Sequence, residues 1–493
     1  MNSYKQLESR LKTLSDLKHI ESIMNWDEAT MMPIGGGDKR AEAMATLTGI
    51  HHEKLIDPQL LELVNLAKQD NTLSNWETRN LYWIDKIVRN AHALPTELVK
   101  KKAQRAVQSE QAWRRFRAEN NWQDFLPYLE NTFSLVKEAA QIRADLFKTN
   151  AYDICIDDHC PDLSQQSIDP IFNALKKELP SLVQQILSQK KPTPHQAQGP
   201  FSIEEQKALA KKLMATIGFD FEHGRLDTSH HPFCGGVPED VRITTRYNEE
   251  NFSSAMLGVC HESGHALYEQ ALPLEWRDQP VGQAMGMAVH ESQSLIIEMD
   301  ACRSKSFMTF FSKILKNSFG DQPALDPENL YQLNTQVEPS LIRVDADEVT
   351  YPLHVILRYE IERDLFSGAI EIKDLPEVWD AKMTEYLGLS TKGNDKDGVM
   401  QDVHWPSGAF GYFPAYTLGR LIAAQLFHFA CKAKPEIPTQ LEQGNFSELK
   451  QWLNQSIHSK GSLLTYEQLL NSATNEPLNI QYFLKHINEK YLA

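Results

Sequence analysis

FSSAMLGVCHESGHALYEQA, Phe252 to Ala271, reads as one helix, and inside it His261, Glu262 and His265 make the pattern H-E-x-x-H. Four residues is about one helical turn, so both imidazoles point the same way and can share one Zn²⁺. Glu262 then falls beside a water on that ion, where a carboxylate serves as general base. The stretch predicts a helical framework around a zinc-dependent hydrolytic centre. With 17 histidines in the chain the motif can also arise by accident, so its surroundings must carry the argument.

Upstream, helical periodicity breaks between His223 and Tyr247, where Gly235, Gly236 and Pro238 punctuate two short extended stretches. Val241, Ile243, Thr245 and Tyr247 alternate with Arg242, Thr244 and Arg246, the period of a half-buried strand. A small antiparallel β-sheet is therefore expected beside the zinc helix. Its strands either serve structure alone or offer backbone groups to an extended peptide by strand addition.

Further out the chain reads as mostly α. Leu7, Leu11, Leu14, Leu17 and Ile20 recur at helical steps, and helices are expected over Asn75 to Asn90, Pro95 to Asn120, Trp122 to Lys148 and Asp169 to Lys190. The turn-rich segment from Lys190 to Pro200 divides an N-terminal helical subdomain, 1–190, from a catalytic subdomain, 201–493. Residues 1–493 are expected to form one catalytic unit.

Bulk properties exclude several alternatives. A net charge of −16 disfavours gripping nucleic acid or anionic lipid. Met1 to Ser15 lacks the basic-then-apolar pattern of a secretory signal, and the apolar region from Ala409 to Phe429 is broken by Pro414 and Arg420, so no membrane span is expected. Six scattered cysteines suit reduced thiols, and a cytoplasmic protein is inferred.

Two histidines leave a catalytic zinc in need of a third protein ligand. The residues after His265 exclude a metzincin, because Tyr268 and Ala271 stand where that class needs glycine and histidine. A second helix, expected over Val281 to Arg303, carries HESQ with Glu291 in reach of the histidines. Glu291 is the preferred third ligand, with Glu269, Glu298 and His290 as competitors. His290 and Glu291 cannot both coordinate easily, since helix neighbours point about 100° apart.

At this point the chain resembles the carboxypeptidase Taq family of zinc metallocarboxypeptidases. It carries in order HPF at 231–233, DVRIT at 240–244, HESGH at 261–265, HESQ at 290–293, IRVDAD at 342–347 and GVMQDVHW at 398–405. WDEATMMPIGGGDKRAEAMATL, 26–47, also looks like the family's opening region. The resemblance implies a large helical, cleft-shaped metallopeptidase of neurolysin-like architecture, a likeness to homodimers, and removal of single residues from peptide C-termini with broad preference. Histidine and carboxylate ligands also accept Co²⁺ or another divalent metal.

Roles then follow. Glu262 is the expected general base, and His261, His265 and Glu291 the metal ligands. A carboxypeptidase needs a cation for the substrate's free carboxylate, which a guanidinium meets with two parallel bonds. Arg343 in IRVDAD is the first choice, against an ion pair with Asp345 or Asp347. Arg242 in DVRIT is the second, against a sheet anchor. His404 in GVMQDVHW and Tyr416 after it have the chemistry of oxyanion donors. His231 in HPF borders the cleft or serves structure. Asp402 could orient a ligand or His404, and Gln401 and Trp405 could pack the wall. Two other readings stay open: an oligopeptidase cutting internal bonds or releasing dipeptides, and a non-catalytic peptide-binding protein.

Overall fold

Capping and apolar spacing place the helices where periodicity predicts them, with ends shifted by local hydrogen bonds. A computed structural model describes residues 2–189 and 192–492. The first helix, α1 (Ser3–Thr30), starts where Asn2 accepts from the Lys5 N–H. Its stripe is buried only as far as Leu14; Ile20 is exposed. Helix α2 (Gly37–Leu55) follows α1 and buries none of its residues. The helix expected from Asp169 begins four residues earlier as α3 (Gln165–Leu187), because Ser164 and Ser167 form a reciprocal cap. Lys190 and Lys191 lie outside the described residues. The loop after them is tied across the molecule by two bonds between His195 and Asn329.

The sheet differs from expectation. It has three strands, β1 (Gly224–Thr228), β2 (Cys234–Val237) and β3 (Asp240–Thr245), with β3 in the middle. β2 pairs with β3 antiparallel through a tight turn, but β1 pairs with β3 parallel, so the sheet is mixed. Alternation along one strand reports which face is buried, not which neighbour pairs with it. Val241 and Ile243 are buried as predicted, and β3 packs on the metal helix α4 (Phe252–Gln270). Thr244, on the other face, is buried too, because its hydroxyl ties down the loop at Ser229 and Phe233.

After α4 come two short turns and then α5 (Gly286–Leu295), later than the expected start at Val281. It continues as a π-helical segment, Ile296–Cys302. Helix α6 (Tyr351–Ser367) is almost wholly buried and packs on α7 (Leu375–Leu387) and on α8 (Pro414–Ala433). The C-terminal helix α9 (Gln481–Tyr491) packs against α8.

One apolar core runs from Trp83 to Tyr491 and takes in α3 to α9, while a smaller cluster lies under α1. Arg420, which interrupts the apolar run in α8, is buried there. It donates to Asp300 of the π segment and to Glu348. His486, Lys490 and Tyr491 of α9 complete that cluster, each meeting Glu348 at 2.8–2.9 Å. A buried carboxylate is stable only when paired and hydrogen-bonded, and Glu348 has four such partners. All six cysteines are free thiols, and no helix among the described residues is long and apolar enough to cross a membrane.

Candidate active site

Asn251 caps α4 through the N–H groups of Ser253 and Ser254, and the helix then carries His261, Glu262 and His265 in consecutive turns. Two glycines bring the third ligand in. A Cβ on Gly264 would lie 2.4 Å from the Gln293 carbonyl, so only glycine lets α5 approach α4 this closely. A Cβ on Gly419 of α8 would lie 2.9 Å from the Glu291 side chain. Between these helices, ligand atoms of His261, His265 and Glu291 lie within 4.8 Å of one another. Glu291 Oε2 is 3.4 Å from His265 Nε2 and 3.9 Å from His261 Nε2. Tetrahedral zinc with bonds of about 2.0–2.2 Å needs donors roughly 3.3–3.6 Å apart. The His265–Glu291 pair meets this spacing, and the His261–Glu291 pair at 3.9 Å is slightly wider, so the donor types suit the ion and a small inward shift of His261 completes the set.

Each histidine is aimed by a partner behind it. His261 Nδ1 is 2.9 Å from Glu298 Oε2, and Arg303 donates to the other oxygen of Glu298. His265 Nδ1 is 2.6 Å from His290 Nδ1, and His290 Nε2 is 2.7 Å from Glu269. Both arrangements occupy Nδ1 and leave Nε2 for the metal. Of the competing candidates, Glu298 and His290 thus lie behind the two histidines, and Glu269 lies behind His290. The seven-residue step from Glu291 to Glu298 was a sequence signal for a shared helix face; the pairing across helices had none.

Charges follow from burial. Burial would raise the Glu291 carboxyl, but His261 and His265 hold it below its usual range. Burial would likewise raise Glu298, yet Arg303 and His261 bring it down to about 2. His265 is lowered by burial to about 4. Glu262, buried beside the ligands, is pushed up to about 7 by desolvation, which makes it a stronger base than an exposed carboxylate.

A second cluster gathers Arg343, His404 and Tyr416. Arg343 is buried, and its pair is not Asp345 or Asp347: Nε and Nη2 both donate to Asp402 Oδ1, at 3.1 and 2.8 Å, while Nη1 donates to the Tyr351 hydroxyl. Asp345 is exposed, and Asp347 accepts from the N–H groups of Val349 and Thr350. Gln401 accepts from the Arg343 N–H, so it fastens the arginine rather than merely packing. His404 Nε2 and the Tyr416 hydroxyl are 3.3 Å apart. Burial lowers His404 to about 4, so it stays neutral and keeps a ring N–H to donate. Tyr351, Tyr412 and Tyr416 all lie within the electrostatic reach of Glu291, which joins the two clusters. Tyr351, Tyr412 and Arg358 escaped the sequence reading.

Arg242 and His231 stand apart from these contacts. Arg242 binds Asp240 with two bonds and covers the Trp26 ring of α1, 4.3 Å from its centroid. His231 is exposed in the loop between β1 and β2, edge-on to His230. Beside them, edge strand β2 and α1 enclose a cavity of about 710 Å³ that reaches Glu269.

Two aimed histidines and a carboxylate that could hold a metal, with a buried glutamate next to them, set between helices, have the layout of a metal-dependent hydrolase. More narrowly, the chain belongs to the carboxypeptidase Taq (M32) metallopeptidase family, whose model matches residues 6–491. It is 36% identical to thermostable carboxypeptidase 1 of Thermus thermophilus, over 100% of this chain and 98% of the relative. Metallocarboxypeptidase 1 of Trypanosoma cruzi superposes with a TM-score of 0.98 at 40% identity, covering 100% of this chain and 99% of that one. The M32 carboxypeptidase of Deinococcus radiodurans gives 0.94 at 31%, covering 100% of both. The protein is a metallocarboxypeptidase that uses a divalent metal.

Proposed function

We propose that the chain is a zinc enzyme removing single C-terminal residues from peptides of varied sequence, with Glu262 as base and Arg343 as the carboxylate clamp. The observation that carries this reading is the common setting of the three-ligand cluster and the buried Arg343, linked through Tyr351 and Tyr416. A metal bound by His261, His265 and Glu291 lowers the pKa of a water and polarises the scissile carbonyl. Co²⁺ is compatible with the same donors. Glu262 takes the proton of the attacking water and later delivers it to the leaving amine. Arg343 fixes the last residue of the peptide through its carboxylate, and neutral His404 with Tyr416 donates toward the oxygen that gains charge. The outer edge of β2, which pairs with no further strand among the described residues, supports binding of the upstream peptide by strand addition.

A single catalytic unit over residues 1–493 is part of this reading, supported by the core that α3 shares with α4 to α9. The subdomain division at 190–201, a homodimer and a cytoplasmic location rest on the sequence reading and family resemblance. The first test is a zinc-loaded digest of a mixed-sequence peptide and its C-terminal amide, followed by mass. Stepwise loss of single residues from the free acid alone is expected. Internal fragments from both peptides would overturn the carboxypeptidase assignment in favour of an oligopeptidase, and intact peptides in favour of a binding protein.

A further inference from the structure

We propose that Arg358, which cannot reach substrate, keeps the Arg343 clamp cationic by taking up the charge of Asp402. This deepens the function proposed above and rests on Arg343 as the carboxylate site. Arg343 gives two of its donors to Asp402 Oδ1. Left alone, those two groups form a neutral pair, whose field at an incoming carboxylate falls to that of a dipole. Arg358 supplies the missing charge from behind. Its side chain has 0% exposure, its Nε and Nη2 lie 2.7 and 2.6 Å from Asp402 Oδ2, and its Nη1 donates to the His354 carbonyl at 2.6 Å. The rings of Trp379 and Phe413 cover its guanidinium, at 4.5 and 5.3 Å.

Among the remaining titratable neighbours, Glu362, one turn after Arg358 on α6, feels the guanidinium of Arg358, but burial pushes its carboxyl up to about 7 and its oxygens are taken by Tyr152, Trp405 and the Gly411 N–H. His354, one turn before Arg358, is kept neutral by burial and by the two guanidiniums, its pKa down to about 3. His404 is held down to about 4 in the same way. Tyr351 and Tyr416 are raised by burial and stay neutral. Burial brings Arg358 down only to about 10, so it remains protonated at neutral pH. Two buried cations thus share the Asp402 carboxylate, and the surplus positive charge faces the side of Arg343 that Asp402 leaves free. Arg358 is a positioning residue for charge.

The readout is the ratio between KM for a blocked dipeptide acid and the inhibition constant of its amide, on zinc-loaded enzyme. Arg358→Met is expected to raise KM for the acid roughly tenfold to a hundredfold, with the amide changing far less. Arg358→Lys recovers most of the loss. Removing the anion as well, in Arg358→Met/Asp402→Asn, frees Arg343 again and restores discrimination. Equal weakening of acid and amide, or a double variant no better than the single one, overturns the proposal. If Arg358→Met does not fold, the double variant and Arg358→Lys still decide it, since loss of discrimination in both contradicts the charge argument. Arg343→Met separates the two levels. If it keeps acid preference, the clamp assignment falls and this proposal with it. If it loses preference while Arg358→Met keeps it, only the role of Arg358 falls.

Discussion

Glu262 and Glu298 are both buried glutamates within the metal neighbourhood, and their contacts give them opposite duties. Glu262 has the raised carboxyl of a base, whereas Glu298 is held ionised between His261 and Arg303. Glu262→Gln is expected to bind zinc normally and turn over at under about a thousandth of the parent rate, a general base being worth about 10²–10⁴-fold. Glu298→Gln should instead weaken zinc binding by about 10–100-fold, read by competition with a chromophoric chelator, because His261 loses the partner that fixes its tautomer. Unchanged zinc affinity in Glu298→Gln would remove its orienting role. At this scale the sequence was informative where spacing is local. His261, Glu262 and His265 share one helical turn by spacing alone, whereas Glu291 was preferred from the expected second helix with Glu269, Glu298 and His290 left as competitors. Asp402 was weighed as a partner of His404, whose Nδ1 lies 4.0 Å from it, but its hydrogen bonds go to Arg343 and Arg358, 59 and 44 positions away, and such pairings leave no periodic trace. His290 was weighed as a ligand because its chemistry permits it. Only the fold shows its ring turned to His265.

Among the elements, α6 ties α3, α7 and α8 together. Its Glu360 receives Lys176 of α3 and Lys382 and Tyr386 of α7, each at 2.6 Å. Burial would raise this carboxyl, but those donors lower it from 4.5 to about 2. Its stabilising effect is therefore complete above about pH 4.5 and fades as pH falls toward 2. Glu360→Gln should cost about 2 kcal/mol of unfolding free energy at pH 7 and distinctly less at pH 3. Denaturant titrations of both proteins at the two pH values check this, and a pH-independent difference would exclude the ion pairs as its cause. The same helix shows why element type is easier to read than element surroundings. Its near-complete burial, charged residues included, hides the stripe that marks α1. The sheet was visible as strands, while the parallel partner of β3 depended on a chain crossing that alternation does not encode.

For the whole molecule, the single catalytic unit proposed above predicts that the main core and the smaller cluster under α1 unfold together. Ligand binding to the native state alone adds about 2.7 kcal/mol at a hundredfold excess over Kd. Calorimetry of the apoprotein is expected to give one transition, which zinc moves to higher temperature as a whole. Two transitions with only one responding to zinc would instead separate residues 1–190 from 201–493. The family motifs made the architecture legible before any coordinate, because four of the six, HESGH, HESQ, IRVDAD and GVMQDVHW, meet in two adjoining clusters, while HPF and DVRIT stand apart. The packing of α9 behind that site was not, since nothing in Gln481–Tyr491 resembles a functional motif.

Glu348 meets the hydroxyl of Tyr491, 143 positions later in the chain, and the field of both reaches Arg303, which steadies Glu298 and through it His261. Translation proceeds in the other direction. A growing polypeptide exposes His261 and His265 well before α9 leaves the ribosome, and until then Glu348 lacks three of its four partners. The hydrolytic centre matures after most of the polypeptide is made, so a half-synthesised protease has its ligands without the scaffold that aims them.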